Sequence, residues 1–226
     1  MSPTGRACVA EAIGTFALCF IGAGAIILNQ KTGGAVGLIG IALAHGLILS
    51  AMISAMGHVS GGHFNPAVTI GFMVTKKTDG GTGISYIISQ LVGGTVAGIL
   101  LRIIFAADVW QKVNLGTPTL ASDVSFGMGI LIEIILTFFL VTAIWGSAVD
   151  DRHPDVGGFA IGLTIAADIL MGGPLTGASM NPARTFGPAL AGGGFDGINH
   201  LVYWIGPIIG GVAAALVYNN ILIKKE

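Results

Sequence analysis

With 226 residues and a net charge of −1, the chain has no basic footprint for nucleic acid. It is 53% hydrophobic and only 9% charged, with a mean hydropathy of +0.86, whereas a soluble domain carries roughly 25% charged residues. That composition argues against a soluble protein and for one that lives in a lipid bilayer.

A helix needs ~20 mostly apolar residues to cross a ~30 Å hydrocarbon core. The first stretch that qualifies, 6–28, carries Glu11 in its interior and no small-residue cleavage site, so it reads as a retained helix, not a secretory signal. It holds both cysteines, Cys8 and Cys19, which sit at no metal-cluster spacing and read as packing residues. A second span, 36–57, is followed by SGGHFNPAVT, where glycines, histidine, asparagine and proline interrupt the apolar run. From Asn65 to Val74 the chain is again apolar, but ten residues at 1.5 Å each reach only about half a bilayer. Asparagine is a good N-cap and proline suits the first helical position, so this segment reads as a half-helix that enters the membrane without crossing it. Spans at 83–106, 125–148 and 157–172 follow, the last being the shortest, then a second Asn-Pro half-helix from Asn181 to Leu190 and a final span at 198–223.

The basic residues orient the chain. With a cytoplasmic N-terminus, Arg6, Lys76, Lys77, Arg152, Lys224 and Lys225 lie inside, against Lys31, Arg102 and Lys112 outside. That imbalance favours both termini in the cytoplasm, and the short loops and tails lean toward a prokaryotic cell membrane as the location.

The chain also aligns with itself. SGGHFNPAVTIG (60–71) matches TGASMNPARTFG (176–187), AEAIGTF (10–16) matches IEIILTF (132–138), and QLVGGTVAGIL (90–100) matches PIIGGVAAALV (207–217), all at offsets between 116 and 122 residues. Two repeats, approximately 6–106 and 125–223, each with three spans, must insert with opposite orientation and form one membrane channel domain. Their half-helices then enter from opposite faces and meet N-terminus to N-terminus. Broken backbone at that depth is tolerated where it lines a water-filled cavity or is buried in protein. Gly93, Gly94, Gly98, Gly210 and Gly211 are small enough to let neighbouring helices approach closely.

These features resemble the aquaporin, or major intrinsic protein, family over essentially the whole chain. The resemblance rests on GGHFNPAVT, NPARTFGP, the paired EAIGTF-type segments and YWIGPIIGG. It implies an all-α membrane fold of six transmembrane helices plus two re-entrant half-helices, a homotetramer with a pore in each subunit, passive conduction, and no cofactor or bound metal. On that resemblance the pore motifs are Asn65, Pro66, Ala67 and Asn181, Pro182, Ala183. The asparagine amides would donate to permeant water beside two positive helix ends. The backbone of Gly61, Gly62, His63 and Phe64, and of Gly177, Ala178, Ser179 and Met180, is expected to be extended with its carbonyls in the lumen. Glu11 and Glu133, costly in a bilayer unless paired inward, would accept hydrogen bonds from the re-entrant loops.

By spacing from the two motifs, the outer selectivity filter falls on His45, Ile169, Ala178 and Arg184. Arg184 would face water, repel cations and hold permeant oxygen. His45 and Ile169 depart from the water-selective pattern of phenylalanine and histidine, and the set is similar to that of plant vacuolar members. Tyr203 and Trp204 lean back toward the water-selective side. The expected permeants are water and small neutral solutes such as glycerol, urea or ammonia, with protons and ions excluded.

Three further residues invite a role. Asp168, next to Ile169, points about 100° away from it on a helix and reads as a buried hydrogen-bonding or subunit-interface group, with a cation site as the alternative. His63 reads as a buttress of its loop, not a metal ligand, and His153 as part of a solvated inner turn, not a gate. A secondary transporter is the competing class, because inverted repeats and broken helices occur there too. Apart from Asp168, however, no free midplane carboxylate is available for ion coupling. No nucleophile with a base and no paired acids suggest an enzyme.

Overall fold

The computed structural model describes residues 1–152 and 156–223, and within these the chain forms helices and loops without a strand. His153, Lys224 and Lys225 lie outside the described residues, so the readings made for them stand outside the structure as well. The first helix, α1 (Pro3–Lys31), starts where Ser2 Oγ accepts from Gly5 N at 3.1 Å and Pro3 occupies the first turn. Then come α2 (Gly37–Ser60), the half-helix α3 (Pro66–Val74) and α4 (Gly80–Ile104), the last capped by the Asp79 carboxylate. A short α5 (Ala107–Trp110) and a 3-10 turn (Gln111–Gly116) form the connection to α6 (Phe126–Ile144). After α7 (Gly157–Thr176) come the half-helix α8 (Pro182–Gly192) and α9 (Val202–Val217). Six helical segments are long and apolar enough to span a membrane, α6 and α9 being lengthened by wide turns at Trp145–Val149 and Tyr218–Leu222.

The fifth span differs from its expected end at residue 172. Gly172, Gly173 and Pro174 look like a stop, yet the helix runs 20 residues to Thr176. Its last turn is held because the Thr176 hydroxyl donates to buried Glu133 at 2.7 Å. Glycine serves a different purpose at Gly172, where an added Cβ would press into Leu136 and come within 3.3 Å of Ala178.

Close approach at glycine also places the half-helices. A Cβ on Gly94 of α4 would lie 2.8 Å from the Ala183 carbonyl of α8, and one on Gly211 of α9 would lie 3.1 Å from the Ala67 carbonyl of α3. Each half-helix therefore packs on a spanning helix from the other part of the chain. The two largest fully buried side chains of this half of the core are Trp145 and Phe64. A second apolar cluster, Ala23, Ile27, Leu101, Trp110, Leu115 and Ala191, anchors the 107–116 connection. There Arg102 lies over the Trp110 ring at 5.5 Å and donates to the Ala191 carbonyl at 2.8 Å.

Candidate functional site

The two buried glutamates organise everything around the half-helix entrances. Glu11 Oε1 accepts from Ser60 Oγ at 2.7 Å and from His63 N at 2.9 Å, and Oε2 accepts from Phe64 N at 2.6 Å and Gln90 Nε2 at 2.7 Å. Glu133 repeats the pattern with residues 116 positions further on: Thr176 Oγ1 at 2.7 Å, Ser179 N at 2.9 Å and Met180 N at 2.7 Å. It lacks only a counterpart of Gln90, whose aligned position is occupied by Pro207. Tyr86 and Tyr203, which align at the same offset as Gln90 and Pro207, donate their hydroxyls to the last helical carbonyls, Ser60 O at 3.0 Å and Thr176 O at 2.8 Å. Sequence reasoning missed this tyrosine pair and Gln90, although the self-alignment contained the signal.

The loop backbone corrects one expectation. It is not extended: φ is +90° at Gly61, +65° at Gly62 and +48° at Phe64, and +79° at Gly177, +42° at Ala178 and +53° at Met180. The cause is the carboxylate. Along an extended chain successive residues face opposite sides, so two adjacent N–H groups cannot both reach one acceptor; left-handed residues turn them to the same side, as in an anion-binding nest. Side-chain-bearing residues held in this region cost ~1–2 kcal/mol each, which locates stored strain at Phe64, Ala178 and Met180.

The two half-helix entrances meet. Asn65 Oδ1 caps α3 through Ala67 N at 2.9 Å, and Asn181 Oδ1 caps α8 through Ala183 N at 3.0 Å and Arg184 N at 3.2 Å. Their amides cross over: Asn65 Nδ2 donates to Met180 O at 2.8 Å, and Asn181 Nδ2 donates to Phe64 O at 2.9 Å. Each Nδ2 has two hydrogens, so one remains on each asparagine. Pro66, Ala67, Pro182 and Ala183 are buried behind this junction.

A narrow cavity runs past the junction. One wall comprises Gly62, His63, Phe64 and Asn65 with Ala178, Ser179, Met180 and Asn181; the other is apolar, with Leu49 and Ile53 of α2 facing Ile161, Ile165 and Ile169 of α7. About 20 Å³ of it is open to a water-sized sphere, just above the ~10–15 Å³ that one water requires. Beyond it opens a vestibule of about 400 Å³, walled by residues 112–121 and including Lys112. Gly177 lines that vestibule, whereas Gly61 is exposed and lines neither space. Among the described residues, Ile169 and Arg184 are the ones that line both spaces, which puts the constriction there.

His45 holds the arginine. Its Nδ1 lies 2.8 Å from the Ile41 carbonyl, which can only accept, so Nδ1 carries the proton. Nε2 then presents its lone pair to Arg184 Nε at 3.2 Å and Nη2 at 3.0 Å, and Arg184 Nη1 donates to Gly177 O at 3.2 Å. Of five guanidinium N–H groups, three are committed to protein, which leaves two for permeant oxygen. No carboxylate pairs with Arg184 among the described residues, so its charge is left to the passage.

The remaining candidates fall outside the lumen, with one exception. Asp168 is buried, absent from the cavity wall, and its Oδ2 has no hydrogen-bond partner among the described residues of this single chain. Tyr203 acts on Thr176, and Trp204 packs edge-on to Phe186 at 6.2 Å; neither lines the cavity. Cys19 is fully buried and Cys8 half-buried, both away from the lumen. His63 does line the cavity, with Nδ1 3.1 Å from Thr69 Oγ1 and its ring against Phe72 at 4.3 Å and Tyr86 at 5.4 Å.

A family model described as "Major intrinsic protein" matches residues 2–218. The chain belongs to the major intrinsic protein family. Among its relatives, aquaporin TIP4-4 of Zea mays is 43% identical over 228 residues, covering 97% of this chain and 88% of its own length. Nodulin-26 of Glycine max is 40% identical, over 93% of this chain and 76% of its own. An aquaglyceroporin structure from Plasmodium falciparum superposes with a TM-score of 0.82 over 97% of both chains, at 24% identity, which shows that this major intrinsic protein has the same fold.

Proposed function

We propose that this membrane protein is a passive channel that conducts water in single file, admits small neutral solutes such as glycerol, urea or ammonia, and excludes ions and protons. The observation that carries the reading is the narrow cavity, with about 20 Å³ open to water, that runs past the two crossed asparagine caps. A water there accepts the remaining Asn65 and Asn181 hydrogens and is turned with its own hydrogens outward, which interrupts a proton wire. Two helix N-termini, each carrying about half a positive charge, and the unpaired Arg184 raise the barrier to cations. The loop carbonyls offer acceptors on one wall, while the apolar wall offers none and lets water pass without binding tightly.

Ile169 and Ala178 leave the filter wider than an aromatic pair would, and this supports the solute leak. A homotetramer in the cell membrane with cytoplasmic termini completes the proposal. Its support is the family resemblance and the excess of basic residues on one side of the spans. A secondary transporter is not favoured, since its relatives and fold belong with channels. Proteoliposomes challenged in turn with sucrose, urea and glycerol gradients test the reading: shrinkage much faster than in empty vesicles, followed by urea- or glycerol-driven reswelling, is expected. Shrinkage equal to that of empty vesicles would refute it.

A further inference from the structure

We infer that Gly22, a residue of α1 that lines neither the narrow cavity nor the vestibule, is a positioning residue that sets which solutes besides water are admitted, because its bare surface seats the His45 ring. The inference rests on the channel reading above. Gly22 is buried, and a Cβ built on it would stand 2.8 Å from His45 Cε1 and closer still to Cδ2 and Nε2. Real Cβ atoms essentially never come that near another heavy atom, so an added methyl must move the ring.

The ring has one direction in which to move. Its Nδ1–H is tied to Ile41 O within its own helix, its Nε2 edge meets the Arg184 guanidinium, and α1 blocks retreat; what remains open is the cavity that His45 already lines. The self-alignment sharpens this. Gly22 matches Ile144 at the offset of the α1 and α6 segments, and His45 matches Ile161 at that of α2 and α7. At one end of the cavity, two large aliphatic residues line the wall. At the other, glycine gives up its volume so that an imidazole can sit back and hold the arginine. Moving the ring inward narrows the passage and withdraws the acceptor from two guanidinium donors. A solute wider than water loses more from both changes than water does.

The test compares Gly22→Ala, His45→Ala and the double variant in proteoliposomes, reading the glycerol-to-water and urea-to-water permeability ratios, which a general folding defect would not shift. Gly22→Ala is expected to lower both ratios about tenfold, equivalent to ~1.4 kcal/mol of added barrier. In the His45→Ala background the same change is expected to leave the ratios where His45→Ala put them, the non-additivity of residues in contact. If Gly22→Ala alone is not recovered folded, recovery of the double variant with the ratios of His45→Ala supports the contact. Unchanged ratios in Gly22→Ala would overturn the inference, as would an equal drop without the imidazole, or loss of the double variant while His45→Ala folds. So would an unaltered protein that conducts water but neither solute. An unaltered protein with no water flux sinks the channel reading instead.

Discussion

Replacing Glu133 by leucine and by glutamine separates the carboxylate's hydrogen-bonding role from its charge. Both variants remove the charge, so the cost of burying an ion, several kcal/mol in general, cancels when they are compared. Leucine leaves three buried donors without a partner: Thr176 Oγ1, Ser179 N and Met180 N. Glutamine keeps an oxygen for Thr176 and Ser179 but turns its amide nitrogen, itself a donor with no acceptor there, toward Met180 N, leaving two orphaned groups. The difference is one orphaned donor, at ~1–3 kcal/mol. Glu133→Leu should therefore be about 1–3 kcal/mol less stable than Glu133→Gln. Denaturant unfolding in detergent micelles, with the denaturant slope unchanged between variants, reads that gap directly. Glu11→Leu should fall below Glu133→Leu, because Gln90 Nε2 is a fourth donor there. Leucine and glutamine variants of equal stability would refute the idea that the carboxylate shapes the left-handed loop.

Three further outcomes follow from the same geometry. Ile169→His combined with His45→Phe should lower glycerol flux relative to water flux by about tenfold, and an unchanged ratio would misplace the filter. Mercurials should barely affect the unaltered protein, whose cysteines lie away from the lumen, whereas Ala178→Cys should be blocked and restored by thiol; strong block of the unaltered protein would contradict this. Outside the spans, the Arg152 guanidinium and backbone hold the Asp150 carboxyl down at about 2, below its ordinary 3.8. A depressed folded value means the stabilisation is complete above about pH 4 and is lost as pH falls toward about 2. Asp150→Asn should thus show the same thermal stability difference from the unaltered protein at pH 6 and pH 8, and a shrinking one below pH 4. A difference that changed between pH 6 and 8 would mean another group is responsible.

The legible part of this molecule is whatever depends on local composition and on the chain's likeness to itself. Apolar runs of bilayer length located six helices to within a few residues, and Asn-Pro marked both half-helices, because capping and proline preference act within a single turn. The end of α7 was misread because Gly172–Gly173–Pro174 carries stop signals that a distant contact, Thr176 to Glu133, overrides. Loop conformation escaped for a related reason: the left-handed turns at Phe64, Ala178 and Met180 exist to bring adjacent N–H groups to a carboxylate more than forty residues away. Nothing in SGGHF or TGASM demands them. The arginine clamp was equally hidden, since the bond between His45 and Arg184 joins α2 to α8, and the space it needs is left by Gly22 on a third helix. Tyr86 and Tyr203, by contrast, could have been found by extending the self-alignment four residues beyond Gln90 and Pro207.

The central claim is that the crossed asparagines pass water and interrupt the proton wire. Osmotic shrinkage and proton leak measured on the same proteoliposomes, with a pH-sensitive dye inside and stopped-flow light scattering outside, test both halves at once. The account predicts water permeability well above that of empty vesicles with a weak temperature dependence, and a proton leak equal to theirs. Water flux no faster than through bare lipid, or proton flux that rises in step with it, would contradict the account.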